Sequence, residues 1–138
     1  MTEKGFTRDI AKYLGLDYSE ERDLIMLGKD YSPRVSLFTD QAISAKQFIK
    51  CCEMIPDWNF EQGKGLTIKQ YLRLAKRFPD LLFEGYIITE FRPDERLDID
   101  GIYIPRTKWR YRRLLKRLEK KLPDENNYHI HYSRLLWD

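Results

Sequence analysis

Apolar residues recur every three or four positions over residues 67–78, and from residue 81 they recur every second position. In TIKQYLRLAKRF (67–78), Ile68, Tyr71, Leu72, Ala75 and Phe78 fall on one helical face. Thr67 and Gln70 have capping-box spacing, and Pro79 ends the helix. LLFEGYIITEF (81–91) and LDIDGIYI (97–104) then read as two strands joined by RPDER, where Pro93 and Asp94 suit the centre of a type I turn. Helical spacing returns in Tyr111, Leu115, Leu118 and Leu122, with Trp109 and Leu114 beside that stripe, Thr107 as the cap and Pro123 after the end. NNYHIHYS (126–133) is a last strand-like run.

The first half is helical with one interruption. Thr7 can cap FTRDIAKYL, which Gly15 ends, and Ser19 can open a second helix through ERDLIML to Gly28. TRDIAKYLGLDYSEERDLI thereby partly resembles a helix-turn-helix, although Glu21 stands where that motif buries an aliphatic residue. RVSLFT (34–39) reads as a short strand. Thr39 or Asp40 then caps a helix burying Ala45, Phe48, Ile49, Cys52 and Ile55, and PDWNFEQGKGL follows as a loop. From residue 33 the order is β, α, α, β, β, α, β. With the middle helices acting as one crossover, this is the split β-α-β-β-α-β plan of ferredoxin-like domains, an α+β fold with a four-stranded antiparallel sheet. Residues 1–32 form an N-terminal helical extension to the 33–138 domain. A winged helix is the alternative, with 67–78 as recognition helix and the hairpin as wing, but it leaves the last helix and strand unplaced.

Composition narrows the class. With 138 residues, 42% of them hydrophobic and 14% aromatic, one domain can enclose a core. No apolar run reaches the length of a membrane span, and MTEKGFTRD lacks the apolar core of a secretory signal, so the expected setting is cytoplasmic. Adjacent Cys51 and Cys52 suit neither a disulfide framework nor a zinc knuckle. GKG at 63–65 lacks the spacing of a P-loop, and nothing points to an organic cofactor.

Charge changes the picture more. The net charge of +3 divides into +8 on residues 106–122, with nine Lys or Arg against one Glu, and −5 on the rest. Arg110, Arg113, Arg117 and Lys121 form one stripe of the last helix, and Arg112, Lys116 and Lys120 another. Like charges four apart repel, and Glu119 alone is available locally. Nucleic acid or another polyanion is the expected partner, with Lys69, Arg73, Lys76 and Arg77 adding charge if their helix lies alongside. Trp58, Phe60, Tyr103 or Tyr132 could stack on bases. The competing reading is a solvated face balanced by acids elsewhere in the fold. A non-catalytic interaction module would arise if the basic helix of one copy met the acidic hairpin of another, as in a homodimer.

The hairpin supplies candidate chemistry. A five-residue turn pairs Phe91 with Leu97, setting Glu90 opposite Asp98 and Ile88 opposite Asp100. Phe83, Ile87, Phe91, Leu97 and Ile99 share one face. Ile102 and Ile104 continue on the acidic parity, which points to a bulge just past Asp100. Opposed carboxylates need a partner. His129 and His131, two apart on a strand, could hold one divalent metal with Glu90, Asp98 and Asp100, a site able to activate water on a phosphodiester. This His-Ile-His run resembles the metal-binding signature of rolling-circle replication and relaxase nucleases, which implies a metal-dependent nuclease. It departs from them in having no helix after the pair to carry a catalytic tyrosine. GIYIP (101–105) resembles the opening of a GIY-YIG nuclease, but the second half of that signature is absent. These residues do not by themselves separate an enzyme from a binding module.

Overall fold

The computed structural model describes residues 4–27, 42–63, 66–104, 109–121 and 130–132. Within them, helices α1 (Phe6–Leu14), α2 (Ala45–Cys52), α3 (Ile68–Arg77) and α4 (Trp109–Lys121) accompany strands β1 (Leu24–Met26), β2 (Ile43–Ser44), β3 (Leu82–Ile88), β4 (Arg96–Ile104) and β5 (Ile130–Tyr132). The fold is α+β. The strand order is β1-β3-β4-β5, with β2 also on β3. Pairing is antiparallel except at β5, which runs parallel to β4, with Ile102 opposite Ile130 and Ile104 opposite Tyr132. That parallel pair departs from the four-stranded antiparallel sheet expected of the ferredoxin-like plan. The strand expected over 34–39 and the cap at Thr39 or Asp40 lie outside the described residues.

One core joins the helices to the sheet. Phe48 of α2 stacks on Phe83 of β3 at 4.7 Å, and Tyr71 of α3 meets the same ring edge-on at 6.2 Å. Ile25, Phe83, Ile87, Leu97, Ile99 and Ile102 are all buried in this cluster. Burying each such side chain contributes about 1.5–3 kcal/mol. Ile102 reaches the core because the register shifts between Glu84 and Gly85, where Glu84 faces Gly101 and Gly85 faces Ile99. Asp100 is thus the extra residue of a bulge, as the alternation implied. Gly85 permits the close approach, since a Cβ there would lie 2.1 Å from the Asp98 carbonyl oxygen.

The hairpin register differs from the expected one. Ile87, not Phe91, faces Leu97, and Tyr86, not Glu90, faces Asp98. The strands end at Ile88 and Arg96, and a seven-residue connection replaces the five-residue turn. The alternation is unchanged by a four-residue slip, so hydrophobic pattern alone cannot choose between the two registers. Pairing of β1 with β3 and the pull of the N-terminal segment decide it.

ERDLIML does not continue as a helix. Leu24–Met26 pair with Ile88–Tyr86, and Ile25 and Leu27 are buried while Leu24 and Met26 are exposed. Four consecutive apolar residues fit either period, and the open edge of β3 selects the strand. The helix-turn-helix is therefore absent. At the other end of this segment, Gly5 rather than Thr7 is the cap of α1. The buried Glu95 carboxylate accepts from the Gly5 N–H at 3.0 Å, the Thr7 N–H at 3.3 Å and the Thr7 hydroxyl at 2.7 Å. A carboxylate at the positive end of a helix satisfies its otherwise orphaned donors. Gly15 closes α1 in a left-handed conformation, with Leu16 N–H donating to Ala11 O and Gly15 N–H to Lys12 O. α1 places Phe6, Ile10 and Ala11 in the common core.

α2 is capped by Ser44 with Gln47 in a full capping box. Cys51 and Cys52 are both buried, although spacing places only Cys52 on the apolar stripe. Burial pushes both thiols up to about 12. In the unfolded chain they ionise near 8.5, so the unfolded state binds fewer protons above that pH. Stability from this source is complete below about pH 8.5 and declines as pH rises toward 12.

Two outcomes are expected. Glu95→Ala leaves the α1 donors unmet and lowers stability by about 1–3 kcal/mol, read as a lower urea midpoint at unchanged slope. An unchanged midpoint would show that Glu95 does not hold α1. A thiol reagent at mildly alkaline pH is expected to label neither cysteine in the native protein and both in guanidinium, whereas fast native labelling would contradict their burial.

Candidate nucleic-acid interface

α4 is held by its apolar minority. Tyr111 is fully buried, its ring 5.4 Å from Phe78 at the end of α3, and Leu114 lies one turn on in the same core. The Tyr111 hydroxyl donates to Asp80 Oδ2 at 3.2 Å and accepts from the Asp80 N–H at 3.1 Å. These contacts set the N-terminal half of α4 against the C-terminal end of α3.

The cations then have one direction left. Arg112, Arg113, Lys116, Arg117 and Lys120 are exposed. Arg110 and Lys121 belong to the same helix, but their side chains lie outside the described part. On α3, the exposed Lys69, Arg73, Lys76 and Arg77 recur at four, three and one residues, a single outer stripe. The two helices meet at an open groove of about 620 Å³ lined by Arg77, Phe78, Trp109, Arg113 and Arg117. Trp109, expected beside the buried stripe, is instead 67% exposed. The Arg113 guanidinium sits 5.5 Å from its ring centroid, and that of Arg77 5.6 Å from the ring of Phe78. Arginines over aromatic faces are held by the ring quadrupole while their N–H groups stay available to acceptors.

The other stacking candidates lie elsewhere. Trp58 packs edge-on against Phe6 at 6.2 Å and lines a separate cavity of about 340 Å³ with Lys4, Asp94, Glu95 and Arg96. Phe60 is half-buried against the core. Tyr103 faces His131 and Tyr132 faces Ile104 across β4 and β5, placed by backbone register alone. Trp109 escaped sequence reasoning because the first turn of an amphipathic helix does not reveal whether anything covers it. The local signal was Arg113 four positions on, at the spacing for a same-face contact.

The acids of the hairpin have other partners than one another. Glu90 forms an ion pair with Arg8 and accepts from the Tyr18 hydroxyl at 3.3 Å, and its own N–H donates to that hydroxyl at 3.0 Å. Burial pushes the Tyr18 phenol up, with the neighbouring Thr7, Glu90 and Glu95 contributing in both directions. Asp94 is bonded by Arg92 at 2.9 and 2.8 Å and by Arg96 at 3.2 Å, and these contacts hold its carboxyl below its usual range despite the opposing effect of desolvation. Asp98 accepts from the Tyr86 hydroxyl at 3.1 Å and the Ile99 N–H at 2.9 Å.

For the metal reading, Glu90 and Asp98 are thus separated in register and engaged differently. Asp100 sits on the bulge and His131 opposite Tyr103, both placed by backbone only, and His129 lies outside the described residues. Among the described residues, no three His, Cys, Asp or Glu side chains converge as a metal site would require. Nor is any described helix long and apolar enough to cross a membrane.

Similarity to known proteins does not add to this geometry: no protein-family model matches the chain, and no curated protein or solved structure shows significant similarity to it.

The groove's field can be read optically. In a Trp58→Phe/Trp137→Phe variant, the iodide-to-caesium quenching ratio of Trp109 is expected to exceed that of uncharged N-acetyltryptophanamide, and added inert salt should bring the two ratios together. A ratio no higher than that of N-acetyltryptophanamide would mean that no positive potential surrounds Trp109.

Proposed function

We propose that this protein binds nucleic acid through the joined basic faces of α3 and α4, with α4 contacting phosphates. The observation that carries the reading is the groove where Arg77, Arg113 and Arg117 meet the exposed Trp109. It combines cations that neutralise phosphates with an aromatic surface, the pairing used by proteins that track a nucleic-acid backbone.

The placement of the acids supports the same reading. An intramolecular balance would need the hairpin carboxylates to face α4. Glu90, Asp94 and Asp98 pair instead with Arg8, Arg92 and Arg96. An acidic protein surface would also be attracted to α4, and the salt titration below separates the two partners by using oligonucleotides alone. Phosphate contacts of this kind give affinity with little sequence preference, so the expected mode is non-specific or structure-selective binding.

A salt titration against labelled oligonucleotides tests it. Log K should fall linearly with log salt, by about 0.7 per phosphate contacted on a single strand. Arg113→Glu/Arg117→Glu removes two such contacts, so the slope should shrink by about 1.4 and affinity at low salt should fall at least about ten-fold. Binding that survives the double reversal unchanged, or that shows no salt dependence, would reject α4 as the phosphate-contacting element.

A further inference from the structure

Resting on that reading, we infer that the groove selects unpaired nucleotides, with Trp109 as the stacking platform for a base and Arg113, Arg117 and Arg77 as the cradle for the flanking phosphates. The inference deepens the site from a charged face to a single-strand site.

Three features carry it. First, a duplex keeps its bases stacked on one another, so a protein that binds duplex backbone has no use for an exposed indole. Trp109 is the most exposed large hydrophobic side chain among the described residues, at 67%, and lies within the basic surface itself. Second, the Arg113 guanidinium lies 5.5 Å from its ring centroid. A base arriving on the open face of the indole would meet an aromatic plane with a cation beside it, and cation–π attraction reinforces stacking in single-strand sites. Third, the depression is of the right kind. Its volume of about 620 Å³ falls in the range of about 300–1,000 Å³ typical of small-ligand sites, and Phe78 provides an apolar wall beside the arginines. A flat cationic face would serve duplex phosphates equally well. An open groove with an aromatic plane along it serves a nucleotide turned out of a stack.

The test compares equally charged ligands that differ in their bases. Full-length protein is titrated with oligo-dT, oligo-U, an abasic oligomer of the same length and a hairpin duplex, following binding by anisotropy and Trp109 emission in the Trp58→Phe/Trp137→Phe background. Oligo-dT or oligo-U is expected to bind about ten-fold or more tightly than the abasic strand and to quench Trp109. The dT and U arms compare DNA with RNA, which differ here in the 2′-hydroxyl and the thymine methyl group. Trp109→Ala should erase the advantage over the abasic strand, and Trp109→Phe should keep most of it. If all four ligands bind equally and Trp109→Ala changes nothing, the single-strand inference is overturned while phosphate binding by α4 stands. If none binds at low salt, both readings fail together.

Discussion

Everything proposed for this protein hangs on the burial of Tyr111. α4 carries seven Lys or Arg in thirteen residues against one Glu, so as an isolated helix it would repel itself. Arg112 and Lys116, Arg113 and Arg117, and Lys116 and Lys120 are like-charged pairs four apart, each costing a few tenths of a kcal/mol. Against this, Leu114 contributes about 1.5–3 kcal/mol by burial. The Phe78–Tyr111 contact adds about 0.5–1.5 kcal/mol beyond its area, and the Asp80 hydrogen bonds about 1 kcal/mol each. Tertiary packing wins, and it also fixes orientation. With Tyr111 pinned to the turn after α3 and Leu114 in the core, Arg112, Arg113, Lys116, Arg117 and Lys120 are left exposed, and the groove lies between the two helices.

The second constraint is where the acids go. Glu95 is spent on the first turn of α1, Glu90 on Arg8 and Tyr18, Asp94 on Arg92 and Arg96, and Asp98 on Tyr86 and its own neighbour's N–H. These contacts are structural: those of Glu90 and Glu95 fasten the N-terminal segment to the hairpin tip across about 70 to 90 residues of sequence, and those of Asp94 and Asp98 brace the hairpin itself. A second polar fastener works on the opposite edge of the hairpin, where the buried Asn59 amide donates to Leu97 O and accepts from Leu97 N–H, each at 2.9 Å. It occupies the stretch of β4 that β5 does not reach.

Periodicity and caps made much of this legible. α3 with its Thr67–Gln70 box, the two hairpin strands, α4 with Tyr111 inward and the bulge at Asp100 all follow from spacing. The Ser44–Gln47 box is an S-x-x-Q pattern in the sequence, but Thr39 and Asp40 are capping residue types a few positions before it, so residue type alone does not choose among them. What spacing cannot carry is long-range choice. Leu24–Leu27 are apolar at every position, so only the waiting edge of β3 makes them a strand. A four-residue slip preserves the hairpin's two faces, so its register depends on Glu90 and Glu95 being drawn toward α1. Trp109 illustrates the same limit at the candidate site. Its helix position is readable from sequence, but its exposure depends on how far the end of α3 extends beside it.

These two constraints together separate charge in space. Glu90, Asp94 and Glu95 lie on the connection joining β3 to β4. α3 feeds into the start of β3, and α4 follows the end of β4, so the basic groove lies at the other end of the same hairpin. Seven residues of strand at about 3.3 Å each put about 20 Å between them. That exceeds the Debye length of about 8 Å at physiological ionic strength, so across solvent the carboxylates scarcely weaken the potential at the groove. Placing these three acids beside α4 would have gained a few surface ion pairs worth about 0–1 kcal/mol each at the expense of cationic surface. At the tip, Glu90 and Glu95 organise the N-terminus instead, while Lys76, Arg113 and Arg117 stay exposed on α3 and α4.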